Sequence, residues 1–160
     1  IWEFPQMATD IELAINLIQA QNRQFIPDYA PDLIDYPTAP WAETPAVLTW
    51  PSDGSWYQKG QGYMTDERTM QVMVYVEALG LMDIPTRAQI GVQLLQQMRK
   101  HYMKPATIPL DTGVTTGYQI TVESRSGNPL SDTGLMTNLV FGGANYLGFI
   151  LRLRVRIMQI

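Results

Sequence analysis

Three arginines near the carboxyl end, Arg152, Arg154 and Arg156, recur at every second residue and could hold anionic groups in a row. In an extended strand that spacing puts all three on one face, about 7 Å apart, with Phe149, Leu151, Leu153, Val155 and Ile157 on the other. Like charges so close repel one another unless acidic partners or water intervene. Two readings follow, a solvated outer face or an interface row for a neighbour's carboxylates. Asp28, Asp32 and Asp35 form a second cluster that could bind a cation. The calcium-loop pattern, however, needs ligands at alternating positions, a central glycine and a closing glutamate, and these are absent.

The remaining chemistry is sparse. There is no cysteine, hence no disulfide and no thiolate, and the single histidine, His101, leaves no metal cluster and few nucleophile–base arrangements. His101 follows Lys100 near the end of a helical pattern and reads as a surface residue. Lys59-Gly60-Gln61-Gly62 lacks the Gly-Lys-Ser/Thr of a phosphate loop. Gly142-Gly143-Ala144-Asn145-Tyr146-Leu147-Gly148 leads into a strand, so it offers no helix N-terminus to a pyrophosphate. Gly142, Gly143 and Gly148 read instead as a bend or bulge. We therefore expect no catalytic residue, no cofactor and no bound metal, and not an enzyme.

Composition points the same way. The 160 residues contain only 16% charged side chains, against roughly 25% in ordinary soluble domains. Uncharged residues must then cover much of the surface, as they would in a subunit enclosed by neighbours. A net charge of −4 argues against a polybasic nucleic-acid binder. Charge is also split along the chain. Residues 1–67 hold two basic against ten acidic side chains, and residues 68–160 hold nine basic against five acidic. The split fits either two differently solvated faces or head-to-tail pairing of identical subunits. The uncharged stretch 133–151 contains four glycines and reads as no membrane span, and residues 1–5 lack the basic region of a secretory signal.

These side chains must be positioned by a small set of elements. A helix is expected over 8–24, capped by Thr9 or Asp10, with Ile11, Ala14, Ile15 and Ile18 as its apolar stripe. Residues 27–51 hold six of the eleven prolines, together with Tyr29, Tyr36, Trp41 and Trp50, and read as a long extended arm that packs onto something. Residues 46–50 read as a short strand, 51–55 as its reversal, and 56–59 as the return limb ending at Gly60-Gln61-Gly62. A strand over 68–78 alternates Met70, Val72, Val74 and Val76 with Gln71, Met73, Tyr75 and Glu77. After Asp83 and Pro85 a second helix carries Ala88, Val92, Leu95, Met98 and Tyr102 until Pro105. A strand over 117–123, a break at 125–129, a Ser/Thr/Gly-rich loop and the closing strand 146–157 complete the chain. The expected class is α+β, one domain over 1–160, with a mainly antiparallel sheet of about five strands and two helices packed on it, as a ring-forming subunit.

This order of elements resembles the tail terminator proteins of long-tailed bacteriophages, the lambda-type minor tail proteins. The residues that carry the likeness are the strand Arg68-Thr69-Met70-Gln71-Val72-Met73-Val74-Tyr75-Val76, the link with Ile84-Pro85, the helix and middle strand after it, and the closing Tyr146-Leu147-Gly148-Phe149-Ile150-Leu151-Arg152-Leu153-Arg154-Val155. The resemblance covers about 46–157. It implies a homo-oligomeric ring, a hexamer, in the virion neck, assembled in the host bacterial cytoplasm. One face of the ring would sit on the tail tube protein and stop its polymerisation; the other would receive a head-completion or connector protein. No membrane and no specific nucleic-acid binding are implied, only DNA passing through the lumen. In such a ring, Arg152, Arg154 and Arg156 would meet an acidic surface of a neighbour, and the arm, with Asp28, Asp32, Asp35, Tyr36 and Trp41, would reach along an adjacent subunit. The alternatives are another neck protein of stopper or connector type, a tail tube-like subunit, which would favour more strands and a long stacking hairpin, and a small enzyme whose residues the sequence does not single out.

Overall fold

The computed structural model of the chain describes residues 9–59, 63–80, 84–103, 107–124 and 130–160. The expectations that fall on residues 1–8, 60–62, 81–83, 104–106 and 125–129 lie outside the described residues. These are the reading of residues 1–5, the glycine reversal, the Asp83 opening, the Pro105 stop and the 125–129 break.

Helix α1 runs over Asp10–Asn22, where the Thr9 hydroxyl accepts the Glu12 amide at 3.1 Å and Asp10 and Glu12 sit at the positive end of the helix dipole. Helix α2 spans Ile84–Met103. The strands are β1 (Ala46–Lys59), β2 (Tyr63–Ala78), β3 (Thr107–Thr112), β4 (Tyr118–Glu123), β5 (Ser131–Asp132), β6 (Met136–Phe141) and β7 (Ala144–Gln159). All pairings are antiparallel, in the order β1-β2-β7-β4-β3. Strand β7 is the spine: β2 lines one side of it, and β6, β5 and β4 share the other in sequence. The fold is α+β as expected, but with seven strands among the described residues rather than about five. The extra ones come from segments read as loops, because β3 contains Pro109 and β5 and β6 lie in Ser/Thr/Gly-rich sequence that hides any alternation.

The alternation of β2 and β7 decides where the core lies. Met70, Val72, Val74, Val76, Phe149, Leu151, Leu153, Val155 and Ile157 share one face with Ile120 and Val122 of β4, and both helices cover it. Ala14, Ile15 and Ile18 dock from α1; Leu94, Met98 and Tyr102 dock from α2. Each fully buried aliphatic side chain contributes about 1.5–3 kcal/mol, so this layer dominates stability. Val92, expected on the buried stripe, is 51% exposed. Its place is taken by Gly91, which lets Leu135 and Val76 approach the helix. The opposite face carries a smaller cluster of Ala46, Leu48, Tyr75, Leu139 and Tyr146, covered by Trp41 and Phe141.

One expected reversal and one expected bend fold in opposite ways. Residues 51–55 do not turn the chain back. Strand β1 continues past them through a bulge between Pro51 and Gly54, and Gly54 is packed where a Cβ would stand 2.9 Å from the Glu67 carbonyl oxygen. Proline is tolerated here because β1 is an edge strand and Pro51 has no ladder bond to donate outward. The result is one long hairpin of β1 and β2. Gly142 and Gly143, by contrast, form the two-residue link between Phe141 and Ala144, with φ of +60° and +82°, the left-handed pair that matches strand twist.

Candidate interaction surfaces

The arginine row lies on the face opposite the helices, and the register gives each side chain its neighbours. Arg152 stands across from Gln71, Arg154 across from Thr69 and Glu123, and Arg156 across from Glu67 and Thr121. Arg156 grips two carboxylates, Glu67 at 3.1 Å and the almost wholly buried Glu123 at 3.3 Å, and Arg154 lies 4.0 Å from Glu67. The repulsion between successive arginines is thus answered within the subunit. Of the three, only Arg152 has no ion-pair partner among the described residues. Arg152 is thus the member of the row whose charge is left over within the subunit.

The proline-rich segment 27–51 packs on its own chain. Its apolar residues explain why. Ala30 is buried, Trp41 stacks on Phe141 with ring centroids 5.2 Å apart, and the Trp41 amide donates to the Tyr146 hydroxyl at 3.0 Å. Asp32 is tied to Arg23 at 2.6 Å. Asp28 and Asp35 are exposed on the rim of a hollow of about 280 Å³ that they share with Tyr29 and Trp41. The three aspartates therefore do not converge, and among the described residues no group of three or more acidic or histidine side chains could hold a metal ion.

Tyr36 has a role the sequence did not assign. Its hydroxyl donates to the Thr49 carbonyl at 2.8 Å and accepts the Thr49 amide at 2.9 Å, closing the outer edge of β1 where another strand would otherwise pair. Burial pushes its pKa up to about 12, against the opposing pull of that hydrogen bond. We expect Tyr36→Phe to leave both backbone groups of the buried Thr49 unpaired and to cost about 1–3 kcal/mol in urea unfolding. A change under a few tenths would show that the edge is satisfied by something else.

Behind this edge lies a buried polar network. Gln19 Nε2 donates to the Val47 carbonyl at 3.0 Å and the Pro31 carbonyl at 2.7 Å, while Gln19 Oε1 accepts Thr49 Oγ1 at 2.8 Å and Asn22 Nδ2 at 3.0 Å. Tyr102 of α2 completes it by donating to Asn22 Oδ1 at 2.6 Å. His101 stands beside the network, 2.9 Å from Gln21 Oε1 and edge-on to Phe25 and Tyr102. Burial lowers its pKa below the ordinary 6.5. The unfolded chain therefore binds a proton that the folded one refuses, so this contribution to stability is present above about pH 6.5 and is lost as the pH falls below it. Urea midpoints at neutral and mildly acidic pH should differ more for the natural chain than for His101→Gln; identical differences would assign the acid sensitivity elsewhere.

A third surface is apolar. Trp56, Tyr57 and Tyr63 on the hairpin, Val114 in the turn after β3, and Ile160 are all exposed. They gather at one end of the sheet, where Thr65 pairs with Met158, Tyr118 pairs with Gln159, and the Ile160 amide bonds the Gly117 carbonyl. Among the described residues no helix is long and apolar enough to cross a membrane. The sequence matches no protein-family model, and no curated protein matches it.

Proposed function

We propose that this chain is a structural subunit of a long-tailed bacteriophage neck, a tail terminator. It would form a ring on the head-proximal end of the tail tube, stop tube polymerisation and present the surface to which the head joins. The observation that carries the reading is the succession β2, α2, β4 and β7, with β3, β5 and β6 interposed, closing on Tyr146-Leu147-Gly148-Phe149 at the centre of the sheet. Such a role needs a rigid α+β body with two distinct faces and a neighbour-binding surface that closes by rotation.

Residual charge supports it. After internal pairing, Asp10, Glu12, Asp28, Asp35, Glu43 and Asp53 have no ion-pair partner among the described residues, whereas the cations left without one are Arg99, Lys100 and Arg152. Asp111 and Asp132 each accept a backbone amide instead. Opposite surplus charges at different places suit head-to-tail contact between copies. We expect Arg152→Gln to raise the protein concentration needed for half-assembly several-fold at low salt, and the difference to vanish near 1 M salt, where screening is about 3 Å. An unchanged midpoint at low salt would remove Arg152 from the interface.

A tail tube-like subunit is the second reading, and the hairpin of β1 and β2, 14 and 16 residues long, favours it, as does the seven-stranded sheet. Electron microscopy of the purified chain separates the two. Discrete rings that cap unterminated tails support the terminator, open tubes support the tube subunit, and monomers at high concentration defeat both.

A further inference from the structure

A strand edge invites pairing unless something blocks it, and this sheet blocks its edges unevenly. Strand β3 is short, contains Pro109, is bulged between Pro109 and Asp111, and carries that aspartate's charge. The first half of β1 is closed residue by residue. Val47 donates to the Tyr29 carbonyl at 2.9 Å and accepts from Gln19, both Thr49 groups bond Tyr36, and Pro51 has no amide to offer.

The second half of β1 has none of these devices. Because Val47 and Thr49 face outward, Leu48 and Trp50 are the residues bonded to β2, at Met73 and Gln71. Strand β2 keeps unbroken register against β7 from Thr65 to Tyr75, so its odd-numbered residues go on facing β1 beyond the bulge. Their partners there are Ser55, opposite Glu67, and Tyr57, opposite Thr65. Gly54, Trp56 and Gln58 therefore turn their amides and carbonyls outward, and those of Trp56 and Gln58 have no partner among the described residues. Trp56 is 70% exposed and Tyr57 43%, and residues 54–58 carry no charge.

We infer that this outer half of β1 pairs with the same strand of a second copy of the chain, antiparallel, about a two-fold axis at Trp56. The occupant follows from complementarity. The register that sets Trp56 against the other copy's Trp56 sets Gly54 against Gln58, and so uses every outward residue of both strands. Residues 54–58 of the two strands then face one another with no charge on either. A two-fold contact of one patch with itself joins two copies whatever larger assembly they belong to, so the inference goes beyond the ring and does not depend on it.

The chain has no cysteine, which makes the test direct. Directly opposed residues of a hydrogen-bonded antiparallel pair lie about 5.5 Å apart, inside the roughly 4.4–6.8 Å that a disulfide spans. Trp56→Cys should therefore link two chains covalently under mild oxidation. Ser55→Cys and Gln58→Cys, whose opposites are Tyr57 and Gly54, should link at least about tenfold more slowly. Gln58→Pro removes an outward amide while leaving the β2 ladder intact, and should halve the sedimenting mass with the fold retained by circular dichroism. The inference is overturned by a monomeric natural chain, by absent or equal linking across the three sites, or by a Gln58→Pro chain of undiminished mass. Rings that form without linking at residue 56 would remove this contact and leave the ring; linked pairs without rings would do the reverse.

Discussion

Gln19→Leu is expected to lower the melting temperature by about 10 °C, a loss of about 3–5 kcal/mol in a chain of this size. The side chain is fully buried, and its four hydrogen bonds join three parts of the molecule that share no ladder: α1, the proline-rich segment through Pro31, and the edge of β1 through Val47 and Thr49. Leucine fills nearly the same volume, so no large cavity forms. What is lost is pairing. The Val47 and Pro31 carbonyls lose their amide donor, and Thr49 Oγ1 and Asn22 Nδ2 lose their acceptor. Each unsatisfied buried group costs about 1–3 kcal/mol, while the added apolar burial returns only part of that. Against a total stability of about 5–15 kcal/mol the change is severe.

The same network has a second signature. If the loss comes from orphaned partners, then Gln19→Leu combined with Thr49→Val should cost clearly less than the sum of the two single changes, because the second removes a group the first left unpaired. Thermal unfolding by circular dichroism reads both. A shift below 2 °C for Gln19→Leu, or strict additivity in the pair, would mean that the hydrogen bonds do not hold the segment down.

Which parts of this molecule could be read from sequence follows from how local their causes are. The strands β2 and β7 were legible because alternation is a property of neighbouring residues, and α1 because its cap and apolar stripe lie within two turns. The arginine face of β7 was legible too, but not its partners, since Glu67 and Glu123 are brought to Arg156 only by pairing with β2 and β4. Nothing local marks Gln19 and Asn22, polar residues beside the stripe of Ile15 and Ile18, as buried. Their burial depends on Thr49 and Tyr102, 27 to 80 residues away in sequence. Pro51-Ser52-Asp53-Gly54 has every local mark of a turn, yet β2 is long enough to pair on both sides of it, and the ladder outweighs local preference. The proline-rich segment read as an arm that packs onto something, and composition alone cannot show that Tyr29, Tyr36 and Trp41 find their sites on the same chain.

Gly148→Ala is expected to be the most damaging single substitution, with loss of soluble folded protein or a destabilisation above about 4 kcal/mol. The reason is a close approach at the centre of the sheet, where a Cβ at this position would stand 2.1 Å from the Val74 carbonyl oxygen and 2.7 Å from Leu139. Leu139 can rotate away, but Val74 belongs to the backbone of β2 and cannot move without disturbing its ladder to β7. Gly148 sits opposite Tyr75, beside the bulge between Tyr75 and Glu77, so a shift there also displaces Tyr75 and Tyr146, whose rings meet edge-on at 5.3 Å. Gly143→Ala is the matched control. No atom lies within 4 Å of its Cβ position, and its cost is the left-handed backbone alone, about 1 kcal/mol. Soluble yield and near-ultraviolet circular dichroism of the aromatic cluster should separate the two variants sharply. Equal behaviour would mean that glycine is required at residue 148 only for backbone freedom, and that the closeness of β2 and β7 at this point is not what the Tyr146-Leu147-Gly148-Phe149 pattern encodes.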